Sequence, residues 1–400
     1  MLATCAPEGG QGEVHSIPDA ALAWDKGLVS WVGPERELPH DYQSWENWDA
    51  GGRLIVPGLV DCHTHLAFGG WRADEFELRI QGRSYQDIAR AGGGILSTVT
   101  RTRATSEADL TDRAAGFLAQ MGRLGVTTVE AKSGYGLDLE TELRLLRVYR
   151  RLGGDGPLRV VPTFLGAHTV PLEYRDTREE YIDLIVRRML PLIATERLAR
   201  FCDVFVEEGA FTIAEARRIL LAGRAVGLGP KLHADQLSAG GGAELAAEVG
   251  AVSADHLECI SKAGIAALAG SGTVAVSLPL ATLYLNHPPL PARALLDAGA
   301  AVAVATDFNP GSAPSYHLPF AMTLACTLQR MTPAEALKGA TLIAARAIGL
   351  EKEIGSLEVG KAADFAEIDA QSVNQWLYHL RPNACTMTVA GGHRIWPEGN

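Results

Sequence analysis

Several absences narrow what this chain can be. No stretch of its 400 residues approaches the ~20 consecutive apolar residues of a membrane-spanning helix, so no membrane partner is expected. The opening MLATCAPEGGQGEVH lacks the basic-then-apolar order of a secretory signal, and a cytoplasmic protein is expected. Positive charge is in short supply: 36 Lys and Arg stand against 47 Asp and Glu, a net charge of −11. A surface for nucleic acid needs the opposite sign, so no nucleic-acid partner is expected either. A small anionic substrate needs only one or two local cations and stays open. The six cysteines (Cys5, Cys62, Cys202, Cys259, Cys326, Cys385) have no CxxC or similar pairing, and most sit in apolar surroundings, which reads as buried free thiols. Repeats and low-complexity tracts are missing as well.

What the chain has instead is alternation. Its length exceeds what one core usually organises, so one large domain and a smaller one are expected. With 47% hydrophobic and 21% charged residues it has an ordinary globular composition, and 43 glycines suit a fold of many tight turns. Residues 12 to 56 read as short strands and turns, with ALAWDKGLVSWVGPERELP in the apolar–turn–apolar form of a hairpin. From Leu54 the pattern becomes strand–loop–helix: eight strand-like runs begin with LIVPGLVDCHTH and end with AVAVATDFNPG. Helical spacing separates them, as in SYQDIARAGGGILSTVTRTRA and DLETELRLLRVYRRLG. After Gly355 the reading returns to β, in GSLEVGKAADFAEIDA and NACTMTVAGGHRIW. The expected fold is α/β: a (β/α)8 TIM-like barrel over 54–352, with a small β-sandwich built from both chain ends, 1–53 and 353–400.

Five of the apolar runs end in histidine or aspartate: LIVPGLVDCHTH (His63, His65), RVVPTFLGAH (His168), GPKLHAD (His233), AVSADH (His256) and AVAVATD (Asp307). A parallel barrel aims every strand's C-terminal end at one face, so these residues converge. His63 and His65, spaced i and i+2 on a strand, leave the same face and can reach one ion. His233 and Asp307 add a third imidazole and a carboxylate, a set that suits zinc or ferrous iron. Singly, each has a plainer role: a strand-end histidine is often a hydrogen-bonded core residue, and Asp307 could cap the next helix.

The order HxH, His, His, Asp on such a barrel, with the tail GSLEVGKAADFAEID, resembles the amidohydrolase superfamily. Within it, CHTHLAFGGWRADEFELRIQGRSYQDIARAGGGILSTVTRTR is similar to the imidazolonepropionases, as are EAKSGYGLDLETELRLL, TFLGAHTVP, LHADQL, ADHLE and TDFNPGSAP. The resemblance implies hydrolysis of 4-imidazolone-5-propanoate to N-formimidoyl-L-glutamate, in histidine degradation. It implies one divalent metal ion, Zn2+ or Fe2+, held by His63, His65, His233 and Asp307. It also implies substrate contacts from Arg72, Tyr135, His168, Gln236, Asn309, Gly311 and Ser312, and a homodimer.

On the chemistry of the residues, Asp307 and His256 take the proton transfers, with His168 a second candidate for the oxyanion. Arg72 suits the propanoate, or else pairs with Asp74 or Glu75. Many related deaminases carry a glutamate where Gln236 stands, and a neutral amide cannot shuttle protons. A two-metal relative would need a bridging lysine carbamate at the fourth strand, where Glu207 and Glu208 stand, so one ion is expected. Lys132 reads as a cation supporting the site or orienting substrate. The first sandwich strand is short for the family, as if trimmed or preceded by a further start. Two rival readings remain: a deaminase of a heterocyclic base on the same scaffold, and a non-catalytic amidohydrolase-like binding protein.

Overall fold

The computed structural model describes residues 1–83 and 93–397. Its centre is a sheet of eight parallel strands in sequential order: Leu59–Asp61, Val126–Lys132, Arg159–Ala167, Phe201–Val206, Gly229–Ala234, Ser253–His256, Val274–Ser277 and Val302–Val304. Each strand is covered by helices outside and neighbouring strands inside, so near-continuous apolar runs are favoured; all seven residues of VTTVEAK are buried. The first and last strands close the ring through backbone bonds beyond their ends: Asp307 N–H donates to His63 C=O (3.0 Å) and His65 N–H to Phe308 C=O (2.8 Å). Asp61 reinforces the seam, accepting from the Thr306 amide at 3.1 Å and its hydroxyl at 2.6 Å.

Several helices begin where the sequence supplies side-chain acceptors for their free amides. Asp138 caps Leu139–Asp155, and Thr212 with Glu215 forms a capping box on Ile213–Ala225. The segment SYQDIARAGGGILSTVTRTRA is described from Gly93 onward, as a helix over Ile95–Ala104; residues 84–92 lie outside the described residues.

The two chain ends meet in one small domain. A six-stranded sheet takes Leu2–Ala3, Ser16–Ile17 and Leu54–Pro57 from the N-terminal part and Phe365–Ile368, Cys385–Ala390 and His393–Trp396 from the C-terminal part. The hairpin Ala20–Asp25/Leu28–Pro34 packs on it through Leu22, Trp24 and Val32, against Leu2, Phe365, Met387 and Val389. LIVPGLVD is thus two strands rather than one. Leu54–Pro57 pairs with Phe365–Ile368 in the small sheet, and the barrel begins at Leu59, so the small sheet reaches one strand past residue 53. Gly58 makes the crossing: a Cβ there would lie 2.3 Å from Thr127 Oγ1 on the next barrel strand. All six cysteines are free thiols, four of them buried. Among the described residues no helix is long and apolar enough to cross a membrane.

Candidate active site

The barrel closure builds the centre of the site. Because Asp307 N–H is bonded to His63 C=O, the aspartate arrives beside the HxH pair. Its Oδ1 lies 3.4 Å from His63 Nε2 and 3.6 Å from His65 Nε2. His233, at the end of the fifth strand, brings its Nε2 to 3.5 Å from that of His65. His256 faces the same point from the sixth strand, its ring 5.3 Å from that of His233 and 5.6 Å from that of His63. His168 stacks on His65 at 5.1 Å, and Tyr135 lies 5.6 Å from both rings. Asp307 therefore does not cap a helix; its side chain points into the barrel mouth. The backbone is strained where these strands end: Asp235, His256, Leu257 and Asp307 all have positive φ, between 48° and 79°.

Carboxylates set the orientation of two rings. His63 Nδ1 donates to Asp255 Oδ2 at 2.7 Å, and His233 Nδ1 donates to Asp203 at 3.1 Å. With Nδ1 engaged in this way, the Nε2 of each ring is turned into the centre, that of His63 toward the Asp307 carboxylate and that of His233 toward His65. Two buried ring nitrogens and a carboxylate turned toward one centre call for a cation. Among the described residues His63 Nε2 has no hydrogen-bond partner, although it is buried. Burial and Lys132 oppose a charge on His63, yet Asp255 and Asp307 outweigh them and lift it to about 9, so its Nε2 holds a proton that a bound cation would replace. Burial and neighbouring histidines hold His65 well below its ordinary value, and burial brings His233 down to about 4. The candidate ligand atoms of His63, His65 and Asp307 lie within 4.8 Å of one another, as do those of His63, His233 and His256. The donor set fits a transition-metal ion.

One tight turn couples this centre to a guanidinium. Asn309 folds the turn 307–312: its Nδ2 donates to Asp307 C=O (2.7 Å) and Ser312 Oγ (2.8 Å), and its Oδ1 accepts from the amides of Gly311 and Ser312 (2.8 Å each). Ser312 Oγ then donates to Asp307 Oδ2 at 3.3 Å. These groups are engaged with one another, which leaves Arg72 as the donor with capacity to spare. The Arg72 side chain is 8% exposed, and its Nε and Nη1 are buried without a hydrogen-bond partner among the described residues. Of the two carboxylates weighed as its partner, Glu75 is the one beside it, with Oε2 3.7 Å from Nε; the other Glu75 oxygen takes the Gly94 amide.

Gln236 is half-buried in the loop after the His233 strand. That loop is held from two sides: Asp235 accepts from the amides of Gly240, Gly242 and Ala243, and Glu207 from those of Leu237 and Ser238. Lys132 does not face the site mouth. It lies fully buried beneath it, among Asp203, Asp255 and Glu130. The sequence reading missed Asp203 and Asp255, although an aspartate inside FCDVFV or VSADH is costly to bury unless it is paired. It also missed Glu258, two residues after His256, whose buried Oε2 lies 3.8 Å from His256 Nδ1.

Comparison with known proteins gives the family. The amidohydrolase family profile matches residues 233–395. An imidazolonepropionase of Symbiobacterium thermophilum is 50% identical over 96% of this chain and 91% of its own length. One of Bacteroides fragilis is 47% identical over 95% and 92%, and one of Shewanella sp. (strain ANA-3) is 48% identical over 95% and 94%. Among solved structures, a zinc-bound adenosine deaminase of Xanthomonas campestris matches with TM-score 0.73 and 20% identity, over 98% of this chain and 90% of that one. A 5-methylcytosine deaminase of Klebsiella pneumoniae matches with TM-score 0.74 and 16% identity, over 96% of each. These distant structures share the fold. The high identities extend through both the barrel and the small domain, and by them this chain belongs to the imidazolonepropionase family of amidohydrolases.

Proposed function

We propose that this chain hydrolyses the ring amide of 4-imidazolone-5-propanoate to N-formimidoyl-L-glutamate, a step of histidine degradation. The observation that carries the reading is the turn 307–312. It ties a centre that demands a cation to the buried guanidinium of Arg72, whose Nε and Nη1 lack a hydrogen-bond partner among the described residues, the two halves a cyclic amide with a carboxylate arm requires.

In this reading His63, His65, His233 and Asp307 hold one divalent cation, zinc or ferrous iron. That Glu207 is occupied by two loop amides supports one ion rather than two. When bound, the cation supplies Lewis acidity and lowers the pKa of water from ~15.7 toward about 7. Asp307 takes the proton from the attacking water and delivers it to the departing ring nitrogen. The water oxygen ends in the new carboxylate, the formimidoyl nitrogen stays on the product, and no ammonia is released. His256 orients the water and stabilises the tetrahedral oxyanion, with His168 beside it. Arg72 holds the propanoate, and Gln236 hydrogen-bonds the ring. Tyr135, Asn309, Gly311 and Ser312 complete the pocket. The substrate is a small molecule; a cytoplasmic location and a homodimer accompany the reading.

The experiment is product identification. Purified, metal-quantified protein is mixed with freshly prepared imidazolone propanoate and followed by ultraviolet absorbance, mass spectrometry and an ammonia assay. Formimidoylglutamate without ammonia is expected. Ammonia from a heterocyclic base, with imidazolone propanoate untouched, would move the assignment to a deaminase.

A further inference from the structure

Beneath the candidate ligands lies a layer of buried charge. Lys132 is at the end of the second barrel strand, and its side chain is 0% exposed. Its Nζ is 2.8 Å from Asp203 Oδ2, 3.2 Å from Asp255 Oδ2 and 3.1 Å from Glu130. Two of these carboxylates are the ones that receive the Nδ1 protons of His233 and His63. The third has other partners: Glu130 Oε1 accepts from Thr163 Oγ1 at 2.5 Å and meets Lys231 Nζ at 2.9 Å. Among the described residues, Lys132 is the cation that pairs with both Asp203 and Asp255.

Its main chain is tied to the same place. Lys132 N–H donates to the C=O of Thr64, the residue between His63 and His65, at 2.8 Å, and Tyr149 Oη donates to Lys132 C=O at 3.0 Å. Those bonds use only the main chain of residue 132, so a substitution there removes the ammonium without deleting them.

We propose that Lys132 is the positioning residue of the metal centre: by bridging Asp203 and Asp255 it fixes both carboxylates where they orient His233 and His63, and so presents two Nε2 lone pairs to one ion. The inference rests on the metal-centre reading above. Two aspartates from strands four and six, buried close enough to share one Nζ, repel each other across the barrel axis. The ammonium holds them together, and each passes its position to a ring through one hydrogen bond. Removing it lets the aspartates separate, and the two imidazoles turn with them. A buried carboxylate held on one side by Lys132 and on the other by an imidazole has no freedom to do otherwise.

The sign of the effect discriminates this role from simple charge. Lys132 is positive, so if it acted only through its field its removal would tighten the binding of a cation. As a positioning residue its removal loosens binding. Chelator-stripped wild type, Lys132→Met and Lys132→Gln are therefore titrated with Zn2+ against a chromophoric chelator. Circular dichroism and the thermal midpoint of each metal-free protein are recorded alongside. The expected result is Zn2+ affinity weakened about tenfold or more in Lys132→Met, with Lys132→Gln, which keeps a donor, between it and wild type. Lys132→Gln also carries the test should Lys132→Met not fold. Combined with Asp255→Asn it should lose much less than the two single changes add up to, because both act on the same ring. Unchanged or tighter Zn2+ binding in folded variants, or full additivity in the pair, overturns the proposal. Failure of the wild type to bind Zn2+ would instead overturn the metal-centre reading beneath it.

Discussion

The guanidinium of Arg72 lies against Gly311 so closely that a Cβ at position 311 would fall 1.0 Å from Nη2 and 2.2 Å from Cζ. Glycine here is a matter of space, and it lets an arginine from the loop after the first strand sit over the turn after the eighth. Gly311→Ala should displace the guanidinium and raise KM with a smaller change in kcat. Arg72→Met should do the same, costing about 2–3 kcal/mol in kcat/KM, roughly 30- to 160-fold. Steady-state kinetics of both variants measure this. An unchanged KM in Arg72→Met would mean that the propanoate lies elsewhere.

Asp307→Asn and His256→Phe should each reduce kcat by about two to four orders of magnitude while the fold survives, since both residues face the centre and neither belongs to the hydrophobic core. Circular dichroism establishes the fold, and single-turnover rates the loss. Near-normal kcat in either variant removes that residue from the proton-transfer scheme.

Gly58 carries the chain from the small sheet into the barrel, against the buried Thr127. Gly58→Ala should destabilise the protein by about 1–3 kcal/mol, because the Cβ meets Thr127 at 2.3–2.9 Å in a packed interior. The thermal midpoint should fall while kcat of the folded fraction holds. A midpoint equal to wild type would show that the crossing has slack.

The helix Pro333–Gly339 starts at a capping box, Thr332 with Glu335, and Arg293 grips the Glu335 carboxylate at 2.9 and 3.1 Å. Burial opposes the charge of Glu335, but Arg293 and the Thr332 amide outweigh it and hold the carboxyl below its ordinary value. A carboxyl depressed in the folded state contributes stability that is present above its unfolded pKa. That stability is lost as pH falls through the folded one. Thermal midpoints should therefore decline on the acid side of the ordinary carboxylate range. Glu335→Gln should be less stable than wild type at neutral pH and converge toward it in acid. A constant gap across pH would contradict the assignment.

Much of this was legible in the sequence because a parallel barrel obeys a positional rule. Apolar runs ending in His63, His65, His168, His233, His256 and Asp307 are strand ends, and strand ends meet. The crossing at Gly58 was not legible, since LIVPGLVD is equally apolar on both sides of it and only pairing assigns Leu54–Pro57 to the other sheet. The charged layer under the candidate ligands was hidden for a related reason. Lys132, Asp203 and Asp255 come from three strands, and periodicity along one strand says nothing about which residue lies across the barrel. Asn309, expected to face the substrate, has its amide engaged in shaping its own turn, a local bond that the motif DFNPGS does not announce.

The proposed hydrolysis needs His63, His65, His233 and Asp307 to form a single-ion centre. Stripped enzyme titrated with Zn2+ or, anaerobically, with Fe2+ while turnover of imidazolone propanoate is recorded tests it most directly. No turnover is expected without metal, followed by a linear rise that breaks at one equivalent, with Asp307→Asn at least about a hundredfold slower throughout. Full activity in the stripped protein, or a break at two equivalents, would contradict it.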